Sequence, residues 1–223
     1  MTAPSCTVRK TVVSPLPADD FDSPVWRAAE TVTLDNRYLG NVPEHGFTPR
    51  VSCRLLHGNG YIFGRFRVED HYILIRAKKD QDCVCTDSCV EFFVRPQNNV
   101  RYYNFEFSAG TAMLLYSCTD LRRGVYTPIP LEDCASVIRA STLPRSVDPE
   151  STDPVTWQFF FAVPVSFFTK FGDNVSADLS GQVWTANFTK CADHTSHPCW
   201  LSWQPLPVLD FHQPECFGKI FFE

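Results

Sequence analysis

The sequence has no apolar run near the ~20 residues that a membrane-crossing helix requires, so membrane insertion by helices is not expected. It also has no stripe of basic residues. The pairs Lys78-Lys79 and Arg122-Arg123 are too short to neutralise several phosphates, and the formal net charge is −5, so nucleic acid is not an expected partner. Glycine is outnumbered by proline, ten to seventeen, and that much proline leaves little room for long helices. Of two methionines only Met113 is internal. It sits in the apolar stretch "AMLLY", which suits a core better than an axial haem ligand. No Gly-x-Ser-x-Gly elbow, His-Glu-x-x-His pair or phosphate-binding loop occurs. The opening "MTAPSCTVRKTVV" lacks the apolar centre of a secretory signal. That points to the cytoplasm, with secretion or the periplasm as the alternative if a leader has been removed.

The 223 residues are 44% apolar and 20% charged, the balance of one globular domain. Nineteen Phe, seven Tyr and five Trp favour strands. The ten cysteines are too few and too irregularly spaced for a disulfide scaffold, so most read as buried free thiols. The cluster Cys83, Cys85, Cys89 is the exception, since a disulfide there would require an oxidising compartment. A short helical turn is predicted at 24–29, feeding a strand at 31–34. Two strands flank Gly58-Asn59-Gly60, residues that accept a positive φ and so mark a tight hairpin. Further strands are predicted at 89–94, 102–107, 112–116, 137–140, 156–163, 183–188, 199–203 and 218–222. Along "YYNFEF", Asn104 and Glu106 share one face, while Tyr103, Phe105 and Phe107 share the other. About ten strands with short helical turns and proline-rich connections predict an all-β, two-layer antiparallel β-sandwich. Residues 1–14 read as an N-terminal extension and 15–223 as the sandwich. Residues 120–130, with Arg122, Arg123 and Tyr126, read as a long loop of the kind that meets ligands.

The ordered set "PVWRAA", "GYIFGRFRVEDHYILIRA", "DSCVEFFV", "YYNFEF", "NFTKCAD", "LSWQPL" and "DFHQPECFGKIFF" resembles the carbohydrate-binding module family 9-like domains, within the DOMON-like β-sandwich superfamily. The resemblance runs from about Pro15 to the C-terminus. It implies a non-catalytic domain that holds a sugar chain end between aromatic rings and polar side chains, in support of polysaccharide breakdown. It implies no cofactor, though structural calcium is sometimes bound.

On that resemblance, Glu91, Asn104, Glu106, Asn187 and Lys190 become candidate partners of sugar hydroxyls, with Arg101 and Tyr102 beside them. The plainer reading of the same residues is a solvated sheet face with cross-strand charge pairs. Glu91, amid apolar neighbours in "CVEFFV", needs a partner in any case. Trp200 and Trp203 offer stacking surface, but residues three apart on a strand face opposite ways, so at most one meets a flat ligand; core burial of both is the competing reading. Trp157 and Trp184 read as core and Trp26 as edge.

"CADHTSHPCW" crowds Cys191, His194, His197 and Cys199 into one segment, where zinc sites draw on separated pairs. It reads as a loop, with His194 and His197 near the ligand. A metal site that borrows His212 or Cys216, or a glycosidase built on Glu91 and Glu106, is the alternative function. A protein-interaction module is a third. His212 is expected to anchor the last strand. "NVS" and "NFT" are glycosylation sequons, which bear on Asn187 if the chain is secreted in a eukaryote.

Overall fold

Alternation of apolar and polar residues, with β-branched and aromatic side chains enriched, makes most of this chain extended. The structure, a computed structural model, describes residues 4–40, 46–97, 99–119 and 124–223. Its strands are β1 (Ser5–Lys10), β2 (Thr31–Thr33), β3 (Asn36–Tyr38), β4 (Arg50–Gly58), β5 (Tyr61–Asp70), β6 (Ile73–Ile75), β7 (Cys89–Arg95) and β8 (Tyr102–Ser108). They continue with β9 (Met113–Cys118), β10 (Tyr126–Pro128), β11 (Ile138–Ser141), β12 (Val147–Ser151), β13 (Val155–Pro164), β14 (Val183–Cys191), β15 (Trp200–Ser202) and β16 (Gly218–Phe222). Among the described residues three short α-helices interrupt them: α1 (Pro24–Arg27), α2 (Leu131–Cys134) and α3 (Val165–Lys170). Among the described residues no helix is long and apolar enough to cross a membrane.

The fold is the expected all-β sandwich. One layer runs β10-β9-β8-β7-β14-β16 and the other β4-β5-β13-β11, with antiparallel neighbours throughout each run. β1 joins the layers, because Ser5 to Val8 pair in parallel with β16 while Arg9 and Lys10 pair with β4. The segment 1–14, read from the sequence as an extension, therefore contains a strand inside the sheet system. The other strands beyond those expected, β3, β6, β10 and β12, are three to five residues long. A span that short shows no usable period. The predicted hairpin is present: Gly58 pairs with Tyr61, and Asn59 and Gly60 have φ of 51° and 78°. Two successive positive values make the turn whose twist matches its strands.

The two layers meet through phenylalanine. Phe92 stacks on Phe161 at 5.3 Å, and Phe107 on Phe159 at 4.9 Å and on Phe161 at 5.1 Å. Phe66 of β5 meets Phe188 of β14 edge to face at 6.1 Å. Trp157, Trp184 and Met113 are buried in this core. Trp26, expected at an edge, is also fully buried, in a smaller cluster with Phe160 outside the second layer. Its helix α1 folds over that sheet face and covers the ring.

Candidate functional site

In β7, β8, β9 and β14 the residues that alternate with the core face form the outer surface of the first layer. These are Glu91 and Phe93 of β7, Asn104 and Glu106 of β8, Tyr116 of β9, and Thr189 and Cys191 of β14. Glu91 and Glu106 are direct cross-strand partners, and Thr189 is opposite Glu91 on the other side. Two carboxylates thus stand side by side in the middle of a sheet. Such a surface would normally face water, yet both are nearly buried, at 3% and 4% exposure. They are covered because the irregular chain before β16 folds back over them, with Trp200 at the start of β15 closing one side.

The result is a hollow of about 290 Å³. Glu91 and Glu106 form its floor, and Trp200, Tyr116, Phe211 and His212 are among its walls. The Trp200 indole N–H donates to Asp193 at 2.9 Å, which sets the ring plane. Gly40, at φ +57°, lets the backbone pass so close that a Cβ there would be 3.2 Å from the Trp200 ring. Phe93 meets Phe211 and His212 edge to face, at 6.4 and 5.2 Å. A larger hollow of about 560 Å³ beside Gln97 and Asn174 has no aromatic wall.

Hydrogen bonds fix the floor. Thr189 donates its hydroxyl to Glu91 Oε2, and the Cys191 thiol is 3.2 Å from Oε1. Asn104 donates from Nδ2 to Glu106 Oε1 at 2.6 Å and accepts the Tyr116 amide at 3.2 Å. The Tyr102 hydroxyl and His212 Nδ1 are 2.9 Å apart, so His212 pins the covering segment to the sheet. Burial pushes the Cys89 thiol up to about 12. The contact with Cys89, and then burial, raise Cys191 well above the usual thiol range.

Of the residues proposed from the sequence to touch carbohydrate, Glu91, Glu106 and Trp200 line the hollow. Tyr102 and Asn104 stand directly behind its walls and floor. The others lie elsewhere. Lys190 is one residue out of phase with Thr189 and points into the interior, where it pairs with Asp70 at 3.0 Å beside the Cys199 sulfur at 3.2 Å. Trp203 packs on Phe188 at 5.5 Å in the core. Arg101 bonds the Tyr103 hydroxyl at 3.4 Å and the Phe171 carbonyl near Asp173, on the core side of the sheet. Asn187 is fully buried, and its side-chain oxygen accepts the Phe188 and Gln204 amides at 3.0 and 2.9 Å. His194 is exposed, and His197 stacks on Tyr72 at 3.6 Å. Arg122 and Arg123 lie outside the described residues, but Tyr126, which starts β10 rather than lying in a loop, packs on Tyr116 at 4.9 Å.

Of the crowded segment, Cys191 ends β14 and residues 192–199 join it to β15 as a loop. The ten cysteines form no disulfide, and the Cys83 and Cys85 sulfurs are 3.4 Å apart. Among the described residues one group of three His, Cys, Asp or Glu side chains is close enough to share an ion: Cys89, Glu91 and Cys191. Two sulfurs do not fit calcium, a hard ion that takes oxygen ligands.

The sequence matches the family model for carbohydrate-binding family 9 over residues 28–222. No protein of curated function matches it. A protein from Bacteroides uniformis, provisionally described as carbohydrate-binding, superposes with a TM-score of 0.84 at 29% identity, over 100% of both chains. A carbohydrate-binding module of family 9 from Caldicellulosiruptor kristjanssonii, solved with cellotriose, has a TM-score of 0.61 at 11% identity, covering 99% of this chain and 94% of that one. The same organism's family 9 module solved with glucose gives 0.59 at 10% identity, over 99% and 96%. At those identities the two modules show a shared fold. With the family model matched across nearly its whole length, the chain belongs to carbohydrate-binding family 9.

Proposed function

We propose that this domain binds carbohydrate without turning it over, and that the Glu91–Glu106 hollow is where it does so. One observation carries the reading: two carboxylates fixed as acceptors lie beneath a half-buried indole in one cavity. Sugar hydroxyls donate to carboxylates, often in pairs, and the C–H face of a sugar ring packs on indole. A volume of about 290 Å³ is at the lower end for small-molecule sites, so one or two rings enter rather than a long chain. Family 9 modules that hold glucose and cellotriose on this fold support a neutral glucan-type ligand. On this reading the domain keeps polysaccharide near an enzyme that cleaves it.

Calorimetry with glucose, cellotriose and a panel of other mono- and oligosaccharides tests the proposal. Exchange of hydroxyl hydrogen bonds against water predicts dissociation constants of about 10⁻⁶ to 10⁻³ M. No heat from any sugar would refute it. A hydrolytic reading draws on the same pair, because cross-strand neighbours stand ~4.5–5.5 Å apart at Cβ, near the ~5–5.5 Å of retaining glycosidases. Thr189, Cys191 and Asn104 hold both carboxylates as acceptors, which favours binding over proton donation. Release of sugar from aryl glycosides would reverse that choice.

A further inference from the structure

Cys89 and Cys191 are cross-strand partners of β7 and β14, and Glu91 is two residues from Cys89 on the same face. Strand geometry therefore aims both sulfurs and the carboxylate at one point without any sequence spacing motif. That is why the crowded segment 191–199 gave no such signal. From this convergence we infer that Cys89, Cys191 and Glu91 form a binding site for one thiophilic divalent cation, zinc or cadmium in character, at the floor of the hollow.

The distances fit. A tetrahedral zinc with Zn–S of ~2.3 Å and Zn–O of ~2.0 Å places sulfur and oxygen ligands about 3.5 Å apart and two sulfurs about 3.8 Å apart. Here Glu91 Oε1 is 3.2 Å from Cys191 Sγ and 4.0 Å from Cys89 Sγ, and the three ligand atoms all lie within 4.8 Å of one another. Bringing the Glu91 oxygen to the ligand distance from both sulfurs requires shifts of up to about half an ångström. The Thr189 hydroxyl on Glu91 Oε2 orients the carboxylate so that Oε1 faces the sulfurs, the supporting role that outer hydrogen bonds play at metal sites. Two sulfurs select a soft ion over calcium or magnesium. Three protein ligands leave a fourth position, and it opens to the hollow because Cys191 and Glu91 both line it. The ion enters by the same route, exchanging the thiol protons for metal–sulfur bonds. The site shares Glu91 with the proposed carbohydrate site, but its two sulfurs do not depend on that reading, and it would survive its failure.

The experiment uses the full chain, reduced, free of metal and without an affinity tag, titrated with cadmium chloride under anaerobic conditions. One equivalent should produce thiolate-to-cadmium charge-transfer absorption and a cadmium NMR resonance in the range of two sulfur ligands; zinc should displace it. The pair of exposed Cys83 and half-buried Cys85 is the competing thiol site, so Cys83→Ser/Cys85→Ser should keep the full signal and Cys191→Ser should lose it. No absorption in the wild-type chain, a resonance outside the two-sulfur range, or loss of signal in the Cys83/Cys85 variant each overturns the proposal. The first two readings need no substitution near the core, so a misfolded Cys191 variant leaves the test intact.

Discussion

Trp200 and Trp203 lie three positions apart on neighbouring stretches of chain, and that offset sends one ring to the hollow and the other to the core. Trp200→Ala should weaken sugar binding by about tenfold, some 1.4 kcal/mol, with little change in the urea midpoint. Trp203→Ala should instead cost ~3–5 kcal/mol of stability, as large-to-small core changes do. Paired calorimetry and denaturation curves separate the two, and equal effects on binding would remove Trp200 from the site. The same parity argument separates Thr189 from Lys190. It makes the placement of Asn104 and Glu106 legible from sequence wherever a strand is long enough to count along, whereas Lys190, expected among the sugar-facing groups, lies on the interior face. Phe211 and His212 were not legible. They belong to an irregular segment whose path is set by contacts with Phe93 and Tyr102 more than 100 residues earlier in the chain.

His57 carries a pH dependence at this scale. Its ring is 2% exposed, Nε2 lies 2.6 Å from the Glu223 carbonyl, and Phe222 packs against it at 5.3 Å. Burial lowers its pKa below the ordinary 6.5; Lys10 adds to this, while the Glu223 carbonyl, Asp178 and the Glu223 carboxylate oppose it. The unfolded chain then takes up a proton before the folded one does. Stability contributed by neutral His57 is therefore complete above about pH 6.5 and is lost as pH falls toward the folded value, with a slope of at most ~1.4 kcal/mol per pH unit. Urea curves from pH 7.5 to 5 should show the decline, and His57→Gln should flatten it. An unchanged slope in the variant would assign the effect to another group.

Between elements, the closest approach is made by Gly64 of β5. It pairs with Phe161 of β13, and a Cβ at that position would lie 2.0 Å from the Phe161 ring. The glycine lets the ring lie across the strand, and that ring is the one that meets Phe92 and Phe107 from the other layer. Gly64→Ala should cost 1–3 kcal/mol or more by overpacking, read as a lower urea midpoint at unchanged slope. A midpoint that stays put would mean that Phe161 has room to move. The hairpin at residues 58–61 could be read locally because two φ-positive residues define it, whereas β1 could not. Its six residues become a strand only by bridging β16 and β4, which lie at distant points of the sequence.

At the scale of the molecule, Lys190 of one layer and Asp70 at the end of β5 in the other form a buried ion pair that ties the sandwich together. Asp70 also accepts the His71 and Tyr72 amides through Oδ1, which fixes the turn after β5. Lys190→Met should cost ~3–5 kcal/mol, because it strands a carboxylate away from water, and Lys190→Met/Asp70→Leu should regain most of that loss. A double variant no better than the single one would show that the two residues act separately. The resemblance named the family and the fold from ordered strand motifs, since those motifs are the sandwich itself. It could not resolve which candidate polar groups reach the cavity, because that depends on how the chain before β16 lies over the sheet.

That overlay assigns the two halves of the pocket to different kinds of chain. The floor belongs to ladder strands, whose alternate residues also build the core, whereas one side of the rim, residues 209–212, lies in irregular backbone that only rests on them. Changes in the rim can therefore alter which ligand is admitted while the scaffold beneath stays intact. Relatives on this fold are then expected to diverge in appetite sooner than in shape.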